Sequence, residues 1–241
     1  MKGKRIKQVI AWCLAVIITI QSVDWTGISE VAAEAVSAGQ TETESDTQPV
    51  GTPLVYEDGI AQDTVTITEA SYLTGDLIIE GNLNLQAPLS LNHHTLTVQG
   101  STNIYNAELH VNGSMECEQE LNLYSGSLVF EQGSLQADKA VELKYSAVSI
   151  QMTHEEDYFR INGDLYIAAN GIQTFSPEKG TLELTGDYIE QANLNNNDEP
   201  YQTAGIQAGE DFQLQLCGSG SQMLDIQSDN TRIPNVIVTG E

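Results

Sequence analysis

Residues 77–100 read "LIIEGNLNLQAPLSLNHHTLTVQG" and carry the same apolar-x-apolar word four times: Leu77-x-Ile79, Leu83-x-Leu85, Leu89-x-Leu91 and Leu96-x-Val98. Alternation with period two puts both apolar side chains of a word on one face of a short extended segment. Gly, Asn and Pro stand between the words and bend the chain. The word returns at Leu109-x-Val111, Met115-x-Cys117, Leu121-x-Leu123, Leu128-x-Phe130, Val141-x-Leu143, Val148-x-Ile150, Phe159-x-Ile161 and Leu165-x-Ile167. It continues at Leu182-x-Leu184, Phe212-x-Leu214-x-Leu216, Leu224-x-Ile226 and Val236-x-Val238.

Strands of three residues are shorter than the roughly five or six usual in sandwiches and barrels. They suit a coil that turns a corner after every strand. Leu77 to Leu96 is 19 residues, Leu96 to Met115 is 19 and Met115 to Leu135 is 20. The expected fold is therefore all-β: a parallel β-solenoid with about three short strands per coil of 19 or 20 residues. Leu77, Leu96 and Met115 are expected to lie one above another. A lone coil buries too little to offset its ordering entropy, so each depends on its neighbours.

Corners are expected at Gly75-Asp76, Gly81-Asn82, Gly113-Ser114, Gly126-Ser127, Gly163-Asp164 and Gly186-Asp187. There glycine takes positive φ and the polar residue bonds its own backbone. Regularity falls after residue 168. Residues 168–180 and 190–209 are too long for corners and read as irregular loops projecting from the solenoid, where function is often carried.

The 241 residues hold 34 acidic and 9 basic side chains, a formal charge of −25. Beyond residue 35 the only basic side chains are Lys139, Lys144, Arg160, Lys179 and Arg232. Such an acidic chain repels phosphate backbones and anionic headgroups, which sets it against nucleic acid and membrane surfaces. Lys2, Lys4, Arg5 and Lys7 precede the apolar run "VIAWCLAVIITI" at residues 9–20, too short to span a bilayer comfortably but suited to a secretory leader. Ala33-Glu34-Ala35 or Val36-Ser37-Ala38 offers the cleavage site. Residues 1–35 are thus expected to be a signal peptide. Residues 36–62, rich in Thr, Ser, Glu and Gln, are expected to be a disordered acidic linker. Residues 63–241 are expected to form the solenoid.

Chemistry-bearing residues are few. Cys117 and Cys217 read as two separate buried hydrophobes, although export permits a disulfide between them. His93-His94 lacks a third ligand at zinc-like spacing and reads as a polar corner. Asp76, Asp164 and Asp187 could align carboxylates for calcium, but the GGxGxD repeat is absent and Asp suits corners by itself. Glu155-Glu156-Asp157 offers adjacent carboxylates, yet the scattered basic residues make no groove for acidic sugars. "CGSGSQ", residues 217–222, reads as a turn, since no phosphate-loop lysine follows. Tyr158, Phe175, Tyr188 and Tyr201 are expected to cap the rod's ends, with sugar or protein stacking as the alternative. No catalytic, cofactor or metal residue is assigned.

Residues 152–241 also resemble the repeat unit of large exported surface proteins of Gram-positive anaerobes. The likeness rests on "DYFRINGD" from Asp157 to Asp164, "GTLELTGDY" from Gly180 to Tyr188 and "LCGSGSQ" from Leu216 to Gln222. "NHHTLTVQGSTNIYNAELHVNGS" is similar to the opening of the same unit. The resemblance implies a β-rich, non-catalytic surface module, sometimes within long proteins that also carry Rhs-type repeats. The second irregular loop departs from that pattern, since it is not rich in Ser, His and Tyr.

The expected role is therefore a secreted, non-enzymatic spacer or adhesion scaffold at the cell surface. Expected partners are cell-wall or host glycans or other surface proteins. A carbohydrate-binding or polysaccharide-cleaving β-helix is the first alternative, and end-to-end self-association the second. The strand-like ending "IPNVIVTGE" reads slightly better as a piece of a longer protein than as a free secreted chain.

Overall fold

Period-two words become strands because their apolar faces have somewhere to go: the axis of a coil. The structure, a computed structural model, describes residues 49–143, 148–167, 174–190, 205–228 and 231–240. The expected signal peptide lies outside them. The described chain is a parallel β-solenoid of about eight turns with coils of about 20 residues. Spaced roughly 4.8 Å apart, those turns extend about 40 Å.

The first wall stacks Ile60–Ala61, Leu77–Ile79, Thr95–Val98, Ser114–Cys117, Ser134–Ala137, Tyr158–Ile161, Lys179–Leu184, Asp211–Leu216 and Val236–Val238 in one parallel sheet. Leu77, Leu96 and Met115 are in direct register, as expected. That ladder continues through Leu135, Phe159, Leu182, Leu214 and Val236. The second wall begins at Val65–Ile67 and Leu83–Leu85, and ends at Leu165–Ile167, Tyr188–Glu190 and Leu224–Asp225. On the third wall Leu89, Leu109, Leu128, Ile150 and Phe175 form an interior ladder.

Four expectations are corrected. First, pairing begins ahead of residue 63: Thr52–Leu54 pairs with Ser71–Leu73, and Ile60–Ala61 with Leu77–Ile79. The polar composition hid a strand whose Pro53 occupies an edge position, where a missing N–H is tolerated. Second, two strands run ten residues each, Thr102–Val111 and Leu121–Phe130, and carry the ladder around a corner. Third, the described residues of the two expected loops, 174–180, 190 and 205–209, belong to the solenoid. Phe175, Ile206 and Ala208 are buried, and Gln207 bridges to Arg232 on the third wall.

The fourth correction concerns the corners. Of the six Gly-polar corners, only Gly126 has positive φ, at +105°. Among non-glycine residues, left-handed backbone falls instead on Asp58, Asn92, His93, Asn106 and Gln132. Gly81, Gly113, Gly163 and Gly186 make room for the neighbouring coil, whereas a Cβ on Gly75 would meet nothing within 4 Å. A Cβ on Gly113 would stand 2.3 Å from the His94 carbonyl oxygen. Glycine is selected there by proximity between coils, a constraint invisible to local turn rules.

The interior is a column of aliphatic and aromatic side chains, with buried polar groups such as Thr102 and Glu190 among them. Its last described rung is different: Leu224, Ile226, Val236 and Val238 extend the interior pattern yet are 38–71% exposed.

Candidate functional surfaces

Carboxylates singled out in the sequence have structural partners. Asp76 Oδ1 accepts from the Thr95 N–H at 2.8 Å, Asp164 Oδ1 from the Asp187 N–H at 2.7 Å, and Asp187 Oδ1 from the Met223 N–H at 2.7 Å. Asn82 Oδ1 takes the Ser101 N–H in the same way, at 2.8 Å. Each corner side chain therefore clamps the next coil instead of bonding its own backbone.

Asp157 is buried, and it accepts backbone N–H groups from Gln132 at 2.7 Å, Thr153 at 2.7 Å and His154 at 2.9 Å. Its neighbours diverge: Glu155 is exposed and pairs with Lys179 at 3.7 Å, while Glu156 lines a shallow depression beside His93. The three adjacent carboxylates are thus not brought together. His93 is a corner residue with φ +64°, and its N–H bonds the Asn112 carbonyl at 3.0 Å. His94 Nδ1 stands 3.9 Å from Asp76. Among the described residues no three His, Cys, Asp or Glu side chains gather as a metal site.

The "CGSGSQ" turn is closed by Gln222. Its Oε1 accepts from the Gly218 N–H at 2.7 Å, and its Nε2 donates to the Leu184 and Gly186 carbonyls at 3.1 and 2.5 Å. Tyr188 and Phe175, expected to cap the ends, are buried in the interior ladders, and the Phe175 ring meets that of Phe212 edge-on at 6.5 Å. Tyr201 lies outside the described residues.

Three arrangements escaped the sequence reading. The first is an outward brace on the first wall. Arg160 and Glu183 are in register and ion-paired at 2.8 Å. Tyr158 donates its hydroxyl to Glu183 at 2.5 Å, and the Cys217 thiol donates to Glu183 at 3.1 Å. Arg160 Nε bonds Asn162, which bonds Asp138. Burial pushes the Glu183 carboxyl up, but the Tyr158 and Cys217 hydrogen bonds and the Arg160 guanidinium outweigh it, leaving it below its ordinary value. Burial and then Glu183 raise the Cys217 thiol. A raised pKa does not favour Cys217 as a nucleophile. Both cysteines are free thiols. Cys117 faces inward as expected, whereas Cys217 is half-buried and turned to Glu183.

The second arrangement is a buried latch. Glu190 takes the interior position that Ile167 holds one coil earlier. It is fully buried, and it accepts from the Tyr188 hydroxyl at 2.5 Å, the Gln227 N–H at 3.0 Å, the Ser228 N–H at 2.8 Å and the Thr231 hydroxyl. Gly205 leaves the space: a Cβ there would stand 1.7 Å from Thr231 Oγ1. Burial and the Glu190 bond push the Tyr188 phenol far up, so it remains a donor.

The third lies outside the second wall. Asn84, Asn103 and Asn122 are in register, with amide-to-amide bonds of 2.9 and 3.0 Å. Two positions on, Tyr105 and Tyr124 stack at 4.7 Å between centroids and 3° between planes. A search at the 19-residue offset would have found both rows. No protein-family model matches this chain, and no curated protein or solved structure matches it significantly.

Proposed function

We propose that this chain is an exported, non-enzymatic β-solenoid that serves at the cell surface as a spacer or adhesion scaffold. One observation carries the reading: side chains with chemical potential are spent joining one coil to the next. Asp76, Asp164 and Asp187 hold backbone N–H groups of the following coil. Asp157 and Glu190 are saturated with donors inside the solenoid. Glu183 is engaged by Arg160, Tyr158 and Cys217. A surface spacer needs such stiffness, because a solenoid is only as stable as its coil-to-coil contacts. Motifs shared with the exported surface modules fall on these same clamps, at Asp157, Asp164, Asp187 and Gln222, which supports a structural reason for the likeness. The basic-then-apolar leader supplies the route outward.

The test is catalytic. The secreted chain, incubated with neutral and acidic polysaccharides, is expected to release no new reducing ends. Cleavage abolished by Glu183→Gln or Glu155→Gln would overturn the proposal.

A further inference from the structure

We propose that the outer face of the second wall, centred on Tyr105 and Tyr124, is a binding surface for a neutral glycan. The inference deepens the adhesion reading and rests on it for the biological setting. Three observations support it.

The first is aromatic. Tyr105 is 39% exposed although it is an aromatic residue on a β-strand, and Tyr124 stacks on it in parallel at 4.7 Å. The second is the neighbouring row. Asn103 and Asn122 precede the two tyrosines by two positions on the same strands, so amides and phenols share the outward face. With Asn84 they present a row of half-buried amides held by one another at 2.9 and 3.0 Å. Mutual bonding fixes their orientation before any ligand arrives, which lowers the entropic cost of recognition. The third is charge. The chain is at −25, yet the outward row from Thr66 through Asn84 and Asn103 to Asn122 contains no ionisable side chain, and charge returns only at Glu142.

An uncharged strip of amides and phenols in an acidic protein selects its ligand by exclusion as well as by contact. Nucleic acids and uronic-acid polymers are repelled by the surrounding carboxylates. What remains complementary is a hydroxyl-rich, uncharged polymer: its apolar ring faces pack on tyrosine, and its hydroxyls exchange hydrogen bonds with amides. A polymer also matches the geometry, since the rows run along the solenoid axis with one contact per coil.

Affinity electrophoresis of the secreted chain tests this, with native gels containing hydroxyethylcellulose, soluble β-1,3-glucan, xylan or polygalacturonate. The expected result is retardation by at least one of the three neutral polymers and none by polygalacturonate. Tyr105→Ala/Tyr124→Ala should weaken it about tenfold or more, while Tyr105→Phe/Tyr124→Phe keeps most of it. Circular dichroism checks the fold of each variant; if the double alanine variant does not fold, Tyr105→Ser at the exposed ring replaces it, with about threefold weakening expected. No retardation by any neutral polymer overturns the inference, as does retardation indifferent to the tyrosines or stronger with polygalacturonate. Those outcomes leave the spacer role standing, whereas polysaccharide cleavage would remove the scaffold proposal itself.

Discussion

Replacing Glu190 should release the last described turn while leaving the earlier coils folded. The carboxylate is buried and takes four donors, from Tyr188, Gln227, Ser228 and Thr231. Glu190→Ala strands those donors, each costing about 1–3 kcal/mol if it stays dry and unpaired. The costs do not simply add, because removing a buried carboxylate also relieves its desolvation and the segment can open to water. A local loss of about 3–5 kcal/mol is the reasonable total, by analogy with breaking a buried charged network. Solenoid coils contact only their neighbours, so the loss should stay near the latch. Hydrogen exchange read by mass spectrometry is the assay. Peptides covering residues 224–238 should exchange about two to four orders of magnitude faster than in the parent, as the energy implies. Peptides covering residues 95–137 should not change. Thr231→Val, which removes one donor, should cost only about 1 kcal/mol. Unchanged exchange at 224–238, or acceleration spread evenly over the chain, would refute the assignment of Glu190 as a local latch.

Asp157→Ala should destabilise the chain by about 3 kcal/mol, because three backbone N–H groups lose a common buried acceptor; chemical denaturation measures it. Glu183 has a depressed folded pKa, so its contribution is present above the unfolded value of about 4.3 and fades as pH falls through the folded value. The stability gap between the parent and Glu183→Gln should therefore close on acidification, as followed by thermal melts; a gap unchanged by pH would reject the brace. Burial pushes the Cys117 thiol up to about 12, and Cys117 should react with thiol reagents only after unfolding. The half-buried Cys217, raised by burial and by Glu183, should react slowly in the native chain. Mass spectrometry after alkylation separates the two.

If the solenoid is a scaffold, its regular half and its irregular half divide the labour. Coils of 19 or 20 residues between residues 77 and 137 align identical side chains from turn to turn, which is how Asn84, Asn103 and Asn122 become a row. Later coils carry longer insertions, and their outward positions hold different residues, Arg160 above Glu183, that join as ions. Repetition thus builds a surface suited to a repetitive ligand, while irregularity is met by individual braces.

The solenoid itself was legible in the residues, because the period-two word and its 19-residue return are local signals that stacking only amplifies. Leu77, Leu96 and Met115 could be placed in one column by subtraction alone. The first strand was not legible, since "TPL" has no alternation and becomes a strand only by pairing with Ser71–Leu73. Nor was the role of the corner glycines: Gly113 needs no special φ, and only the approach of His94 from the preceding coil forbids a side chain. Glu190 is the clearest case. Read alone it extends a polar loop; in space it occupies an interior rung and binds residues 37 to 41 positions away. Apolar periodicity is a property of neighbouring residues and survives in one dimension. Partnership between buried polar groups depends on how long each intervening insertion is and where it returns, and only the folded chain decides that.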